Sequence, residues 1–526
     1  MDTEAFLTAS YARIRARAAV TPGTSVPTLP TAAQLTQARA SLPGRGEEAT
    51  ALAQGRGPAA TVGHLVDDIA PALAGHNRSG RYFGFVTGSC LPIAEAADNL
   101  VSALDQNVQV HLPGQSAATD VEDAALRLLI RLLRLDEDPA ITWEGRTFTT
   151  GATASNILGL ACGREAVVAA RLPAGSPSVG ELGLLGACAA AGVRSIEVLT
   201  SLGHSSLAKA AAVVGVGRAS VRELPRSAAE PWGLDLEGVE AALAAGAAAG
   251  VAAVIAVSAG EVNTGRFATR GGADMRRLRA LADRYRAWVH VDGAFGIFAR
   301  ALPDTPEFAA LRAAAGGLEL ADSITVDGHK LLNVPYDTGI FFTRKSATLH
   351  AVFQNPNAAY LAAPSDTAAI PSPLNIGIEN SRRFRALPAY AVLVSEGAAG
   401  VGAMLARGVR AARGIAAAVL RDLAADYELL PAAADDGDDD ARVAATHVVV
   451  LLRARDPGLN ADLAARVQAG AEWYASATRW AGAPACRVAV ASWRVDPVAD
   501  VALVRDGLAR IAREWRAEKD AAAAGN

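Results

Sequence analysis

Between Ile141 and Asp327 the chain repeats one pattern: a short run of apolar and β-branched residues, then a helical stretch. ITWEGRTFTT, SIEVLTS, VAAVIAVS, AWVHVD and SITVD are the runs, and helical segments separate most of them. A strand covered on both faces reads as a near-continuous apolar run, and parallel neighbours need long crossovers between them. The pattern predicts an α/β fold, with a mostly parallel sheet flanked by helices.

The flanks read differently. Residues 1–80 are helical pieces broken by Pro-rich stretches (TPGTSVPTLP, LPGRG), too loose to form a core alone. From Asp98 to Leu135 the spacing predicts amphipathic helix, clearest in VEDAALRLLIRLLRL. After about residue 386 an Ala-rich helical stretch leads to the acidic run at 435–440, expected to be a solvated loop. The strand-like HVVVLLRA and CRVAVASW and a terminal helix follow, as in a smaller α+β domain. The expected division is an N-terminal helical arm over 1–100, a large α/β domain over 101–385 and a small C-terminal domain over 386–526.

Composition excludes several classes. A chain of 526 residues, 51% hydrophobic and 20% charged, is neither disordered nor a disulfide-stapled mini-protein. A net charge of −4 offers no basic excess for a phosphate backbone, so no nucleic-acid partner is expected. Four scattered cysteines (Cys90, Cys162, Cys188, Cys486) form no CxxC pair, and a reducing cytoplasm fits them. The opening MDTEAFLTASYARIR lacks the apolar core of a secretory signal. Ala241–Gly260 is uncharged over a membrane-spanning length, but its Ala and Gly content reads as a helix, a turn at Gly250 and a buried strand. No membrane partner is expected. Eight histidines show no HExxH pair, so no metal is expected, and a GxSxG elbow is absent.

Lysine is the informative count. Of 50 Lys plus Arg only four are lysines: Lys209, Lys330, Lys345 and Lys519. Arg serves wherever a fixed positive charge suffices, whereas a desolvated Lys can act as an amine nucleophile. Lys330 stands out, after a strand-like run in ADSITVDGHKLLNVPYDTG.

Three further features fall at predicted strand ends, where open α/β sheets bind ligands. TTGATASN runs from strand into helix, and small residues at a helix N-terminus leave N–H groups free for a phosphate; Gly151, Ala152, Thr153 and Asn156 are the candidates. SLGHSSLAKAA places His204 where a ring can stack on an aromatic cofactor or act as acid and base. RAWVHVDGAFG ends a strand in Asp292, a carboxylate that a protonated pyridine nitrogen would satisfy, with His290 on the same face. Gly293, Ala294 and Gly296 leave room for a flat ring. Phosphate cradle, stacking histidine, carboxylate and amine are the parts of a pyridoxal 5′-phosphate site.

On these motifs the chain resembles the group II pyridoxal-phosphate-dependent amino acid decarboxylases, which include aromatic-L-amino-acid and glutamate decarboxylases. SAATDVE, TTGATASNILGLACGREA, HSSLAKAA, AGEVNTG, WVHVDGAFG, ADSITVDGHKLLNVPYDTG and ENSRRFRALPAY carry the likeness, from about Arg81 to Gly400. The resemblance implies a fold type I transferase-like architecture and a homodimer with active sites between subunits. It implies that Lys330 holds the cofactor as an internal aldimine, that Asp292 pairs with the pyridinium nitrogen, and that His204 stacks on the ring. Ala152, Thr153 and Ala154 would bind phosphate, and Ala294 would lie beneath the ring. Tyr360, in NPNAAYL, matches a mobile-loop tyrosine thought to protonate the substrate carbon in relatives. His329 and Thr87 (in YFGFVTGS) are further site candidates.

Leu331 stands where relatives carry Trp, Ala117 where they carry Pro, Glu261 often where they carry Thr, and RFATRGG departs from the usual acidic continuation. The cofactor parts survive these departures; the substrate does not transfer. Decarboxylation of an L-amino acid, aromatic in first preference, is the expected activity. Transamination or oxidative deamination to an aldehyde is the alternative on the same cofactor, and a non-catalytic scaffold the third reading. An aminotransferase would need an arginine clamp for the substrate carboxylate, and Arg382, Arg383, Arg385, Arg487 and Arg494 leave that open.

Overall fold

A computed structural model of the chain describes residues 2–19, 27–356, 370–432 and 438–524. Its strands are β1 (Tyr82–Phe83), β2 (Gly145–Thr149), β3 (Ser195–Thr200), β4 (Val221–Glu223), β5 (Val251–Ser258), β6 (Trp288–Asp292), β7 (Ser323–Asp327), β8 (Gly339–Thr343), β9 (Tyr427–Leu430), β10 (Val449–Ala454), β11 (Tyr474–Trp480) and β12 (Ala483–Ala489). Seven build one sheet in the order β2-β8-β7-β6-β5-β3-β4. Its pairings are parallel except for β8, which runs against both neighbours. The architecture is α/β, fold type I.

Both faces of this sheet are covered, and the alternation along β5 shows it. Ala252, Val254 and Ala256 pack with Leu158 and Val167 of the helix Ala152–Ala169. Ala253, Ile255 and Val257 pack with Leu236, Val239 and Leu278 from the helices Leu236–Ala249 and Gly272–Tyr285. Gly250, at φ +72, ends the helix before β5 in the left-handed conformation that glycine adopts without strain. The uncharged Ala241–Gly260 segment is thus helix, turn and buried strand.

The second sheet has the order β1-β11-β12-β10-β9. Its edge strand β1 comes from the N-terminal part of the chain and runs parallel to β11, with Tyr82 opposite Tyr474. The predicted helix between Asp98 and Leu135 is in fact two helices, Pro92–Leu104 and Ala118–Leu132. The break holds Pro113 and Gly114, which cannot sustain a helix between two polar stretches. Of the acidic run at 435–440, residues 435–437 lie outside the described residues, and the rest is not a loop: Asp438 caps a helix that begins at Asp439, its side chain accepting from the Asp440 N–H.

The helix Ala386–Arg421 packs on Pro92–Leu104, Ala118–Leu132 and the terminal helix Ala499–Ala524. It bends at Gly397, whose φ is +60. It is long and apolar enough to cross a membrane, and 44% of its most apolar stretch is buried against the rest of the chain.

Two histidines lie deep in these layers. His447 stacks on Phe295, centroids 6.3 Å apart, and neither ring nitrogen has a hydrogen-bond partner among the described residues. Burial pushes it down to about 3. His290, on β6, is pushed by burial to about 4. A depressed histidine stays neutral in the fold while the unfolded chain takes up the proton, so stability is present above pH 6.5 and falls as pH drops toward 4. Denaturant unfolding at pH 4.5 should give a native state roughly 2–5 kcal/mol less stable than at pH 7. His447→Leu should flatten that slope; a slope unchanged in the variant contradicts the assignment.

Candidate active site

The parallel strands bring the C-terminal ends of β3, β5, β6 and β7 to one edge of the sheet, against the N-termini of the helices Ala152–Ala169 and Ser205–Val213. Gly151 precedes the first of these at φ +152. A Cβ on Gly339 would lie 2.4 Å from the Gly151 Cα, so only glycine lets β8 approach this turn. The Ser155 hydroxyl then locks the helix to the sheet, 2.7 Å from Thr149 Oγ1 and 3.1 Å from the Ile340 carbonyl. By helix geometry the N–H groups of Ala152, Thr153 and Ala154 have no carbonyl one turn back. Ala152 donates instead to Asp327 Oδ1, at 2.6 Å.

One turn into that helix sits Asn156, fully buried. Its side-chain nitrogen donates to Asp292 Oδ2 (2.9 Å) and to Ser206 Oγ (3.2 Å), and its oxygen lies 2.9 Å from His290 Nε2. The hydrogens are fixed in turn. Trp288 Nε1 can only donate, and it donates to Ser323 Oγ at 2.9 Å. Asp292 can only accept, so the Asn156 oxygen faces His290 and takes its Nε2–H, and the Nδ1 of that neutral ring accepts from Ser323 Oγ, 2.8 Å away. At the far end, His204 Nδ1 receives the Ser206 N–H (3.1 Å) and faces its hydroxyl (2.7 Å). An accepting Nδ1 leaves the neutral ring's proton on Nε2. Asp292 Oδ1 also accepts from the Ala294 N–H, 3.2 Å away.

Lys330 follows β7 in the tight turn Gly328–Leu332. Its ammonium lies 3.0 Å from Asp327 Oδ2 and 5.7 Å from the Phe295 ring centroid. The turn is tied to the strand-end loop of β6, since Ala294 O accepts from the Asp327 N–H and Thr325 O from the Gly293 N–H. His329 accepts the Thr338 N–H at Nδ1, and its ring stacks on Tyr336 with centroids 4.4 Å apart. Burial lowers the pKa of His329.

Gly88 packs on this turn so closely that a Cβ there would lie 2.1 Å from the Lys330 carbonyl. Thr87 is therefore a neighbour of the lysine, buried in the same segment. Phe85 and Val86 in that segment hold positive φ values of 54 and 56, a strained choice for a β-branched Val. Phe85 is 65% exposed and lies 6.5 Å from Tyr474, itself stacked on Tyr82 at 4.6 Å.

Gly151, Ala152, Thr153, Ala154, Asn156, His204, Asp292, Ala294, His329, Lys330 and Thr87 thus gather around one strand edge. Tyr360 lies outside the described residues. Sequence reasoning passed over Asp327 and Ser206. The signal for Asp327 was present: a carboxylate ending an apolar strand three residues before the lysine.

Residues 68–431 match the family model described as the pyridoxal-dependent decarboxylase conserved domain. L-2,4-diaminobutyrate decarboxylase of Acinetobacter baumannii is 29% identical over 279 residues, covering 52% of this chain and 51% of that protein. Tryptophan decarboxylase 1 of Oryza sativa subsp. japonica is 28% identical over 343 residues, covering 64% of this chain and 62% of the relative. The chain thus spans between half and two thirds of the length of these curated relatives. A solved structure of Oryza sativa TDC with PLP and tryptamine shares the fold, with TM-score 0.77, 21% identity and 98% of each chain covered. The match over most of the chain's length places it in a family: this protein belongs to the pyridoxal-dependent decarboxylases.

Proposed function

We propose that this protein converts an L-amino acid, aromatic in first preference, to its amine and CO2 with pyridoxal 5′-phosphate as cofactor. The observation that carries the reading is the Asn156 junction, which holds a carboxylate, a histidine and a helix N-terminus at one strand edge beside a lysine. The donor set fits the cofactor. The N–H groups of Thr153 and Ala154 suit its phosphate, Asp292 its ring nitrogen, His204 and Ala294 the two faces of the ring, and Lys330 its aldehyde carbon.

The bound cofactor supplies a sink for the electron pair left at Cα when CO2 departs. Asp292 keeps a proton on the ring nitrogen. Asn156 fixes that carboxylate, because its oxygen is committed to His290 and its nitrogen must turn to Asp292. His290 is depressed to about 4, so at neutral pH it adds no cation to offset the Asp292 charge. His204 presents an Nε2–H donor edge, and Tyr360 would return the proton to Cα.

Each of the five arginines that might clamp a substrate carboxylate makes at least one bond within the protein. Arg382 pairs with Glu122, Arg383 with Asp98 and Arg385 with Asp337, while Arg487 and Arg494 donate to the Val262 and Asn77 carbonyls. Arg385 Nη1 and Arg487 Nη2 are buried without a hydrogen-bond partner among the described residues, so the arginines do not by themselves separate loss of the carboxylate from transamination. The ring ladder of Tyr82, Tyr474 and exposed Phe85, in the segment whose Gly88 packs on the lysine's turn, supports an aromatic side chain in the substrate.

A homodimer in the cytoplasm completes the reading. The N-terminal helices Thr3–Ala18 and Ala32–Ser41 bury one residue each, and Leu7, Tyr11, Ile14, Leu42 and Leu52 are exposed, an apolar surface suited to a second copy. All four cysteines are free, as in a reducing compartment. Light scattering should return twice the mass of one chain; a monomer overturns the dimer.

Purified protein supplied with cofactor and each of the twenty amino acids should release CO2 and amine, fastest from an aromatic one. Lys330→Ala should abolish turnover, and Asp292→Asn should retain cofactor while kcat falls about 10²–10³-fold. A keto acid or aldehyde in place of the amine, or near-wild-type kcat in Asp292→Asn, contradicts the reading.

A further inference from the structure

The geometry points to Asp327 as a built-in competitor of the cofactor, an anion that occupies both groups the cofactor must engage and so sets how tightly it is held. The inference rests on the cofactor assignment and not on which reaction follows. Asp327 ends β7 with its side chain 3% exposed. A carboxylate buried this deeply needs a partner for each oxygen. Oδ1 takes the Ala152 N–H at 2.6 Å, at the positive end of an 18-residue helix. Oδ2 takes the Lys330 ammonium at 3.0 Å, and His329 Nε2 stands 3.6 Å from Oδ1.

Both partners belong to the cofactor's side of the chemistry. A phosphate at the start of the Ala152–Ala169 helix competes with Oδ1 for the first N–H and meets a like charge behind it. Capture of an aldehyde competes for the other partner. The Lys330 ammonium must first give a proton to solvent. Its lone pair then forms the bond to the aldehyde carbon, and the carbonyl oxygen leaves as water. That step removes the cation that lies 3.0 Å from Oδ2. Asp327 thus opposes the phosphate at one end and the carbon–nitrogen bond at the other. When a substrate amine displaces the lysine, the freed Lys330 nitrogen has a carboxylate waiting beside it and is held off the reacting carbon. Asp327 is in this sense a positioning residue, acting through Lys330 and Ala152.

The test is a titration of full-length protein, cleared of cofactor by dialysis against hydroxylamine, with pyridoxal 5′-phosphate, pyridoxal and inorganic phosphate. Visible absorbance follows capture of the two aldehydes, and competition with pyridoxal 5′-phosphate reports phosphate binding. Asp327→Asn keeps the shape and removes the charge. It should tighten pyridoxal 5′-phosphate at least about tenfold, with gains in both the pyridoxal arm and the phosphate arm. A folded variant, checked by circular dichroism, with unchanged or weaker affinity overturns the inference. Should the Asn variant fail to fold, Asp327→Ser removes the same charge and is read the same way. If the wild-type protein captures no pyridoxal 5′-phosphate, the cofactor assignment itself fails, which is a different result from capture that the variant does not improve.

Discussion

The side-chain amide of Asn156 is the contact on which the site is built. It has two donors and one acceptor in use, and they join two elements to its own helix: β6 through Asp292 and His290, and the Ser205–Val213 helix through Ser206. The junction exists only because the Ala152–Ala169 helix lies very close to β6. Gly159 and Gly163, one helical turn apart, make that approach. A Cβ on Gly159 would sit 2.2 Å from His290 Cε1, and one on Gly163 would sit 3.0 Å from Trp288 Cδ1. Larger residues there would lift the helix off the strand and break the amide's bonds.

From that contact the orientation of every proton follows by elimination. A carboxylate can only accept, so Asp292 ends a chain that runs back through Asn156 and the neutral His290 to Ser323, which accepts in turn from Trp288. The buried histidine inside the chain is held neutral and so brings no cation to Asp292 from that side. The same low dielectric that makes an isolated buried charge costly makes a fully paired one effective at a developing positive centre. On the other side of the site, the carboxylate of Asp327 is paired with a lysine and a helix N-terminus. Two acids one strand apart thus have opposite surroundings: Asp292 faces an amide, and Asp327 faces an ammonium.

Much of this was legible in the sequence, for identifiable reasons. The five strand runs are short, apolar and β-branched, so tertiary context had little to override, and four strand ends could be marked as site positions. Lys330 stood out because arginine fills nearly every other cationic position. What sequence reasoning missed depends on packing between distant segments. The two-residue strand Tyr82–Phe83 has no periodicity, and only its place beside β11 makes it a strand. The strand Tyr474–Trp480 alternates polar and apolar residues weakly and was passed over. Asp327 looked like a strand-end residue, since nothing local reveals that its carboxylate reaches a helix start 175 positions earlier. The stretch from 98 to 135 read as one helix because both halves share the 3.6-residue period, and the period does not mark the break between them.

The account stands on a covalent bond between Lys330 and the aldehyde of pyridoxal 5′-phosphate. Borohydride reduction of the cofactor-bound protein, followed by proteolysis and mass spectrometry, tests it most directly. The account predicts a single pyridoxyl adduct on Lys330, the residue after His329. An adduct on Lys209, Lys345 or Lys519 alone, or no adduct, would contradict it.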